Sequence, residues 1–176
     1  MGLARSESPS RGTLDSGPPT LDSKGMAAQR KKKDKAAGYS GTPLPQKLGI
    51  KEGHRVALLG PPPGFAATLG KLPAGVVTLG GLEGDPFDVV VLFVVEKEHL
   101  DMAFSATARH LKPDGGLWVA WPKKVSGVLT DLTEDRVREV ALAAGLVDNK
   151  VCAIDNVWSG LRCVYRLKDR PAKGGR

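Results

Sequence analysis

The chain has 176 residues, of which 41% are hydrophobic, and it carries a formal net charge of +7. This length suits one folded domain with tails, and no apolar run approaches the roughly 20 residues that a membrane helix needs. Because the N-terminus lacks an apolar signal-peptide core and the chain has only two cysteines, we expect a cytoplasmic protein. The same features disfavour a membrane protein and a secreted disulfide scaffold.

The positive charge is concentrated at the two ends of the chain. Residues 1–37 contain eight Lys or Arg and four Asp or Glu, and residues 168–176 contain four Lys or Arg and one Asp. Residues 38–167 contain fourteen basic and fourteen acidic residues. The composition of residues 1–37 predicts a disordered basic tail, and residues 168–176 form a second basic tail. The neutral stretch predicts a folded domain without a basic face, so nucleic acid would bind only weakly, through the tails.

The first half of this domain predicts short strands and helices in alternation. They are, in chain order, a helix over Thr42–Leu48, a strand over Arg55–Leu59, a helix over Phe65–Leu72 and a strand over Gly75–Leu79. A strand over Asp88–Val95 follows a loop that is rich in Gly, Asp and Pro. Its unbroken apolar character is typical of a parallel strand that is covered on both faces.

The second half continues the alternation and ends in two adjacent strands. The predicted elements are a helix over Glu96–Leu111, a turn at Pro113–Gly116, a strand over Leu117–Trp121, a helix that Thr133 caps and Gly145 ends, and strands over Asp148–Ile154 and Leu161–Leu167. Helices between strands indicate right-handed crossovers and a parallel sheet. The sequence therefore predicts an α/β fold: a small Rossmann-like, class I methyltransferase-like, mostly parallel sheet with a C-terminal antiparallel hairpin.

Several segments of the domain also carry a family resemblance. They are A-G-Y-S-G-T-P-L (37–44), K-L-G-I-K (47–51), D-G-G-L-W-V-A-W-P-K-K (114–124), D-L-T-E-D-R-V-R-E (131–139) and G-L-V-D-N-K-V-C-A-I-D (145–155). Over roughly residues 37–167, the chain resembles bacterial domain-of-unknown-function family 3052. The resemblance implies a small methyltransferase-like domain without an established activity, and it identifies no catalytic residues.

The turn after the first predicted strand, G-P-P-P-G, stands where a nucleotide-binding α/β domain presents a glycine-rich cradle. Pro61–Pro63 have no amide hydrogens to donate to a ligand, and only Gly60 and Gly64 keep the conformational freedom of a cradle. No acidic residue ends the strand, although Glu83 or Asp85 could hold ribose hydroxyls. We therefore expect no cofactor, with S-adenosylmethionine as the disfavoured alternative.

The segment after the strand over Leu117–Trp121 is the other candidate site. Lys123, Lys124 and Ser126 would lie at the carboxyl edge of the sheet, where open α/β sheets bind ligands, and could meet an anion. A solvated connecting loop is the competing interpretation. No spacing of histidines indicates a metal site, so we expect binding to depend on the two lysines more than on His99 or any other histidine.

The two cysteines lie in the last two predicted strands. If the hairpin turns through Asn156–Ser159, residue 155 pairs with residue 160, and Cys152 lies opposite Cys163. Two buried thiols are the preferred interpretation of this pair. A redox-sensitive disulfide is the alternative.

Three functions remain open from the sequence. The favoured one is a non-catalytic binding or regulatory module, whose partner is an unknown protein or an anionic small molecule. The first alternative is an S-adenosylmethionine-dependent methyltransferase with an altered first turn. The second is a nucleic-acid-associated protein that acts through its basic tails; no membrane partner is expected.

Overall fold

The computed structural model describes residues 41–170. Its strands are β1 (Arg55–Leu59), β2 (Val77–Leu79), β3 (Phe87–Phe93), β4 (Leu111–Pro122), β5 (Leu146–Ala153) and β6 (Trp158–Tyr165). Its helices are α1 (Leu44–Lys47), α2 (Phe65–Leu69), α3 (Lys97–Arg109) and α4 (Glu134–Ala143), with 3₁₀ turns at Lys124–Ser126 and Leu167–Asp169. The predictions for residues 1–37, and for the tail beyond residue 170, lie outside the described residues.

Within residues 41–170 the strands form one six-stranded sheet in the order β2-β1-β3-β4-β6-β5. Strands β1 to β4 run parallel, and β6 is antiparallel to both of its neighbours, β4 and β5. This arrangement confirms the predicted, mostly parallel α/β fold with an antiparallel C-terminal hairpin. The chain adds β2 on one side of β1 and β3 on the other, which creates a switch point between β1 and β3.

The sheet buries apolar side chains on both faces, because successive residues of a strand point to opposite sides. Leu100 and Phe104 of α3 and Val137 of α4 belong to the first apolar cluster. Leu48, which follows α1, and Phe65 of α2 belong to the second cluster, on the other face. None of the helices within the described range combines the length and the apolar character that crossing a bilayer requires.

β4 begins earlier than predicted and contains the stretch that was expected to be a turn. It pairs with β3 on both sides of this stretch, and the register shifts across it. A Cβ on Gly115 would lie 2.8 Å from the backbone oxygen of Asp88, so glycine is needed for the close approach of the two strands. The prediction of a turn at Pro113–Gly116 is therefore wrong, since these glycines serve an irregular strand pairing.

Asp88 links three strands at the amino edge of the sheet. Its Oδ2 accepts a hydrogen bond from the backbone N–H of Arg55 at 2.8 Å. The Nζ of Lys112 lies 3.0 Å from both carboxylate oxygens of Asp88. The carboxylate thus holds the first residues of β1, β3 and β4 together, at the edge opposite to the carboxyl ends of the parallel strands.

Candidate functional site

A cleft of about 420 Å³ opens at the carboxyl edge of the sheet, beside the switch point between β1 and β3. It is lined by Leu59 and Gly60 from the end of β1, residues 92–95 from the end of β3, His99 and Ala103 from α3, and Trp158 from the start of β6. Most of these side chains are apolar, and no carboxylate is among them. The cleft lies at the edge where open α/β sheets bind ligands.

Gly60 brings the end of β1 close to the end of β3. Its φ is +66°, in the left-handed region, and a Cβ here would lie 3.3 Å from the backbone oxygen of Phe93. The next three residues, Pro61–Pro63, have no amide hydrogens, and the helix that follows them has only five residues. The turn therefore closes beside the cleft without the run of backbone donors that a glycine-rich cradle offers to an anion.

Trp158 and Phe93 form an aromatic wall of the cleft. Their ring centroids lie 5.1 Å apart at an interplanar angle of 87°, and Phe65 packs against Phe93 at 4.8 Å and 71°. The loop before β6 fixes Trp158, because Asp155 Oδ1 accepts hydrogen bonds from the backbone N–H groups of Val157 and Trp158, each at 2.8 Å. This wall offers edge and face contacts to a planar apolar ligand.

His99 brings an ionisable side chain to the cleft. It is the third residue of α3, and its Nδ1 lies 3.3 Å from Glu96 Oε1, with both side chains more than half exposed. Within the described chain its Nε2 has no partner, so this nitrogen is free for a hydrogen bond with a ligand. The sequence analysis ranked His99 below Lys123 and Lys124, whereas in the structure His99 lines the cleft and the two lysines do not; its position just after a central parallel strand is a signal for the ligand edge.

One of the five residues predicted for a ligand site, Gly60, lines the cleft, whereas Gly64, Lys123, Lys124 and Ser126 lie outside its lining. Ser126 Oγ donates a hydrogen bond of 2.7 Å to the backbone oxygen of Lys123 and accepts one from the backbone two residues later. The hydroxyl is therefore engaged in its own turn. The role of the two lysines in binding stays a prediction.

The two acidic residues considered for ribose binding lie in the loop between β2 and β3. Arg55 donates hydrogen bonds to the backbone oxygens of Glu83, at 2.5 Å, and Asp85, at 2.9 Å. The same guanidinium lies 4.8 Å from the ring centroid of Phe87. Neither carboxylate lines the cleft, and within residues 41–170 no three His, Cys, Asp or Glu side chains are grouped to hold a metal ion.

The two cysteines do not face each other, and the predicted register of the hairpin is wrong. Cys152 pairs with Gly160, whereas Cys163 pairs with Asp148. Cys163 belongs to the first apolar cluster and Cys152 packs against the second, so the thiols lie on opposite faces of the sheet. Both are free cysteines, and this arrangement cannot meet the geometry of a disulfide.

We expect the two thiols to react at different rates and not with each other. Burial raises the pKa of Cys163 to about 12, so this thiol stays protonated and inert near neutral pH. Burial also raises the pKa of Cys152, although Lys47, Lys150 and Lys123 act in the opposite direction. Alkylation of the native protein followed by mass spectrometry should label Cys152 first and Cys163 only after unfolding. An intramolecular disulfide after mild oxidation would contradict the register.

The chain matches no family model and no curated protein, so the resemblance to family 3052 stays a prediction. Similar solved structures include an S-adenosylmethionine-dependent methyltransferase from Aquifex aeolicus (17% identity, 77% of this chain and 96% of that chain, TM-score 0.49). Another is magnesium protoporphyrin IX methyltransferase from Synechocystis PCC 6803 (14% identity, 88% of this chain and 90% of that chain, TM-score 0.45). A third is Aeropyrum pernix fibrillarin with bound S-adenosyl-L-methionine (17% identity, 73% of this chain and 71% of that chain, TM-score 0.47). At these identities the likeness concerns the fold alone. The strand order and strand directions make this a small Rossmann-like α/β domain with an antiparallel C-terminal hairpin.

Proposed function

We propose that this domain is a binding or regulatory module on a methyltransferase-like fold, and that it does not transfer methyl groups. The observation that carries the proposal is the turn after β1. Gly60 is followed by three residues without amide hydrogens, and within residues 41–170 no carboxylate lines the neighbouring cleft. S-adenosylmethionine has a charged amino-acid group and ribose hydroxyls, which need backbone donors and a carboxylate.

The cleft supports a ligand of different chemistry. Apart from the ring of His99 and the indole N–H of Trp158, its side chains are hydrocarbon. A volume of about 420 Å³ falls within the range of small-molecule sites, which combine an apolar lining with a few polar groups. We therefore propose a small, largely apolar ligand, with one polar or anionic group that reaches His99 Nε2.

A methyltransferase that holds S-adenosylmethionine in the same cleft is the second candidate. The position of the cleft favours it, because open α/β sheets bind nucleotide ligands at such a switch point. Calorimetric titration of the full chain with S-adenosylmethionine and S-adenosylhomocysteine separates the two candidates. We expect no binding tighter than about 100 μM, or about −5.5 kcal/mol. Micromolar binding would reverse the order of the two candidates.

Two variants sharpen this test. Pro61→Gly/Pro62→Gly/Pro63→Gly restores three amide donors, so it should bind S-adenosylmethionine more tightly than the natural chain does.

Anilinonaphthalenesulfonate, an apolar fluorescent anion, probes the proposed ligand class. The natural chain should bind it, and Ala103→Phe, which fills the cleft, should lose most of the fluorescence. Equal fluorescence in the two proteins would place the ligand site elsewhere.

A further inference from the structure

Two cations lie side by side on the second face of the sheet, which is the face opposite to α3 and α4. Lys150 of β5 lies directly opposite Arg162 of β6, and Arg162 lies opposite Trp118 of β4. Directly opposed side chains share a face, and Trp118 belongs to the second apolar cluster. The Nζ of Lys150 donates a hydrogen bond of 2.9 Å to the backbone oxygen of Lys47. Two like charges are thus adjacent on the sheet, an unfavourable pair unless an anion joins them.

The guanidinium of Arg162 is half-buried on this face. It lies over Gly116, where a Cβ would overlap it. Its one side-chain hydrogen bond within the described chain is a long one, 3.4 Å from Nη1 to Asn149 Oδ1. Burial lowers the pKa of Arg162, and the neighbouring Arg170 lowers it further. Among the described residues, no carboxylate forms an ion pair that would compensate the burial of this cation.

Lys123 and Arg170 lie near this pair. Lys123 is close enough to lower the pKa of Cys152, which packs on the same face, and Arg170 acts on Arg162 in the same manner. We call Lys123, Lys150, Arg162 and Arg170 the basic stripe. None of the four forms an ion pair with an acidic side chain of the described residues.

The acidic residues nearest in sequence to the stripe, Asp148, Asp155 and Asp169, have other partners, and Asp169 Oδ2 lies 3.8 Å from Nη1 of Arg166. Asp148 Oδ1 lies 3.2 Å from the Nε of Arg138, on α4 and the first face of the sheet. Asp155 Oδ1 accepts two backbone hydrogen bonds in the loop before β6. Equal numbers of positive and negative residues over residues 38–167 therefore do not exclude a local group of cations in the folded domain.

We propose that the basic stripe binds the phosphodiester backbone of a nucleic acid without selecting its sequence. Lys150 and Arg162 lie side by side on the last hairpin and the other two cations lie near them, and a group of four cations suits a polyanion better than a single carboxylate. In the sequence, Arg170 is followed by two further basic residues, Lys173 and Arg176. Contacts to phosphates supply affinity but carry no sequence information.

The test measures binding of the full chain to fluorescein-labelled oligo-dT of about 20 nucleotides, by anisotropy at a series of salt concentrations. Lys150→Gln/Arg162→Gln removes two phosphate contacts. We expect its affinity at low salt to fall about tenfold or more, and the slope of log affinity against log salt to decrease by about 1.4. The matched control, Arg109→Gln/Arg136→Gln, removes the same net charge from α3 and α4 and should leave both quantities nearly unchanged.

A second variant leaves the half-buried Arg162 in place, so that a folding defect at this residue cannot explain a loss of binding. Lys123→Gln/Lys150→Gln keeps Arg162 and should weaken oligonucleotide binding as well, with an unchanged thermal unfolding midpoint. Equal losses in the stripe variants and the control would overturn the proposal, because net charge alone would then explain the binding. Unchanged binding in both stripe variants would overturn it too. If inorganic phosphate competes at the same molar concentration as the oligonucleotide, the stripe binds small anions and the proposal of a polyanion site is overturned.

Discussion

Replacing Trp118 with alanine should lower the free energy of unfolding by about 4 kcal/mol, the largest loss that we expect from a single substitution in this domain. The side chain is fully buried in the second apolar cluster. Its Nε1 donates a hydrogen bond of 2.9 Å to the backbone oxygen of Leu48. Alanine would leave a cavity between β4 and the chain after α1, and a buried carbonyl without a donor. Denaturant unfolding followed by circular dichroism measures the loss.

Trp118→Phe separates the cavity from the hydrogen bond. Most of the ring volume remains in this variant, but the carbonyl of Leu48 loses its donor, so we expect a loss of about 2 kcal/mol. The difference between the two variants then reports the packing contribution of the aromatic ring that phenylalanine retains. A loss of less than about 1 kcal/mol in Trp118→Ala would contradict the assigned burial of this side chain.

Asp88→Ala should lower the free energy of unfolding by about 2 kcal/mol, and it should leave binding in the cleft intact. The carboxylate accepts the backbone N–H of Arg55 and pairs with Lys112, so alanine removes both links among β1, β3 and β4. The cleft lies at the opposite edge of the sheet, which is why its ligand should not respond. Denaturant unfolding and the fluorescent-anion titration measure the two quantities.

Two controls divide this loss between its causes. Asp88→Asn keeps an acceptor for the N–H of Arg55 and removes the charge, whereas Lys112→Met removes only the ion pair. The side chain of Lys112 is 40% exposed, so added salt should reduce the effect of Lys112→Met. Equal losses in Asp88→Ala and Lys112→Met would show that the hydrogen bond to Arg55 contributes nothing.

The elements that were predicted well are those that local sequence determines. β1 is found at its predicted bounds, because an apolar run between turn residues has few alternatives. The cap of α4 is also confirmed, since Thr133 Oγ1 accepts a hydrogen bond from the backbone N–H of Arg136 at 3.2 Å. Such features need only a few neighbouring residues, so one sequence is enough to predict them.

The pairing of β5 with β6 could not be predicted in the same way. The sequence predicted that residue 155 pairs with residue 160, but the pair next to the loop is Ala153 with Ser159. Asp155 binds two backbone amides within the loop, and the register shifts again further along β5. The loop geometry and the register shift each change the pairing of all the residues that follow. The cysteines and the cations of this hairpin therefore have neighbours that the alternation of side chains alone does not indicate.

The candidate cleft was only partly predictable for a related reason. Gly60 could be found because it ends a strand of clear pattern. Trp158 reaches the cleft because β6 inserts beside β4, and this choice of neighbour depends on the whole sheet. His99 reaches it through the rotation of α3 on the sheet, which is set by the packing of Leu100 and Phe104 in the first cluster.

The register shift in β5 also influences how the folded protein behaves at high concentration. β5 is the last strand of the sheet, so one row of its N–H and C=O groups could serve as a template for a strand from another molecule. The irregular pairing around Asn149 interrupts this row, and the charge of Lys150 lies beside it. At the other border, β2 offers only the three residues Val77–Leu79. In the sheet that residues 41–170 form, both borders therefore disfavour the addition of a strand from another molecule.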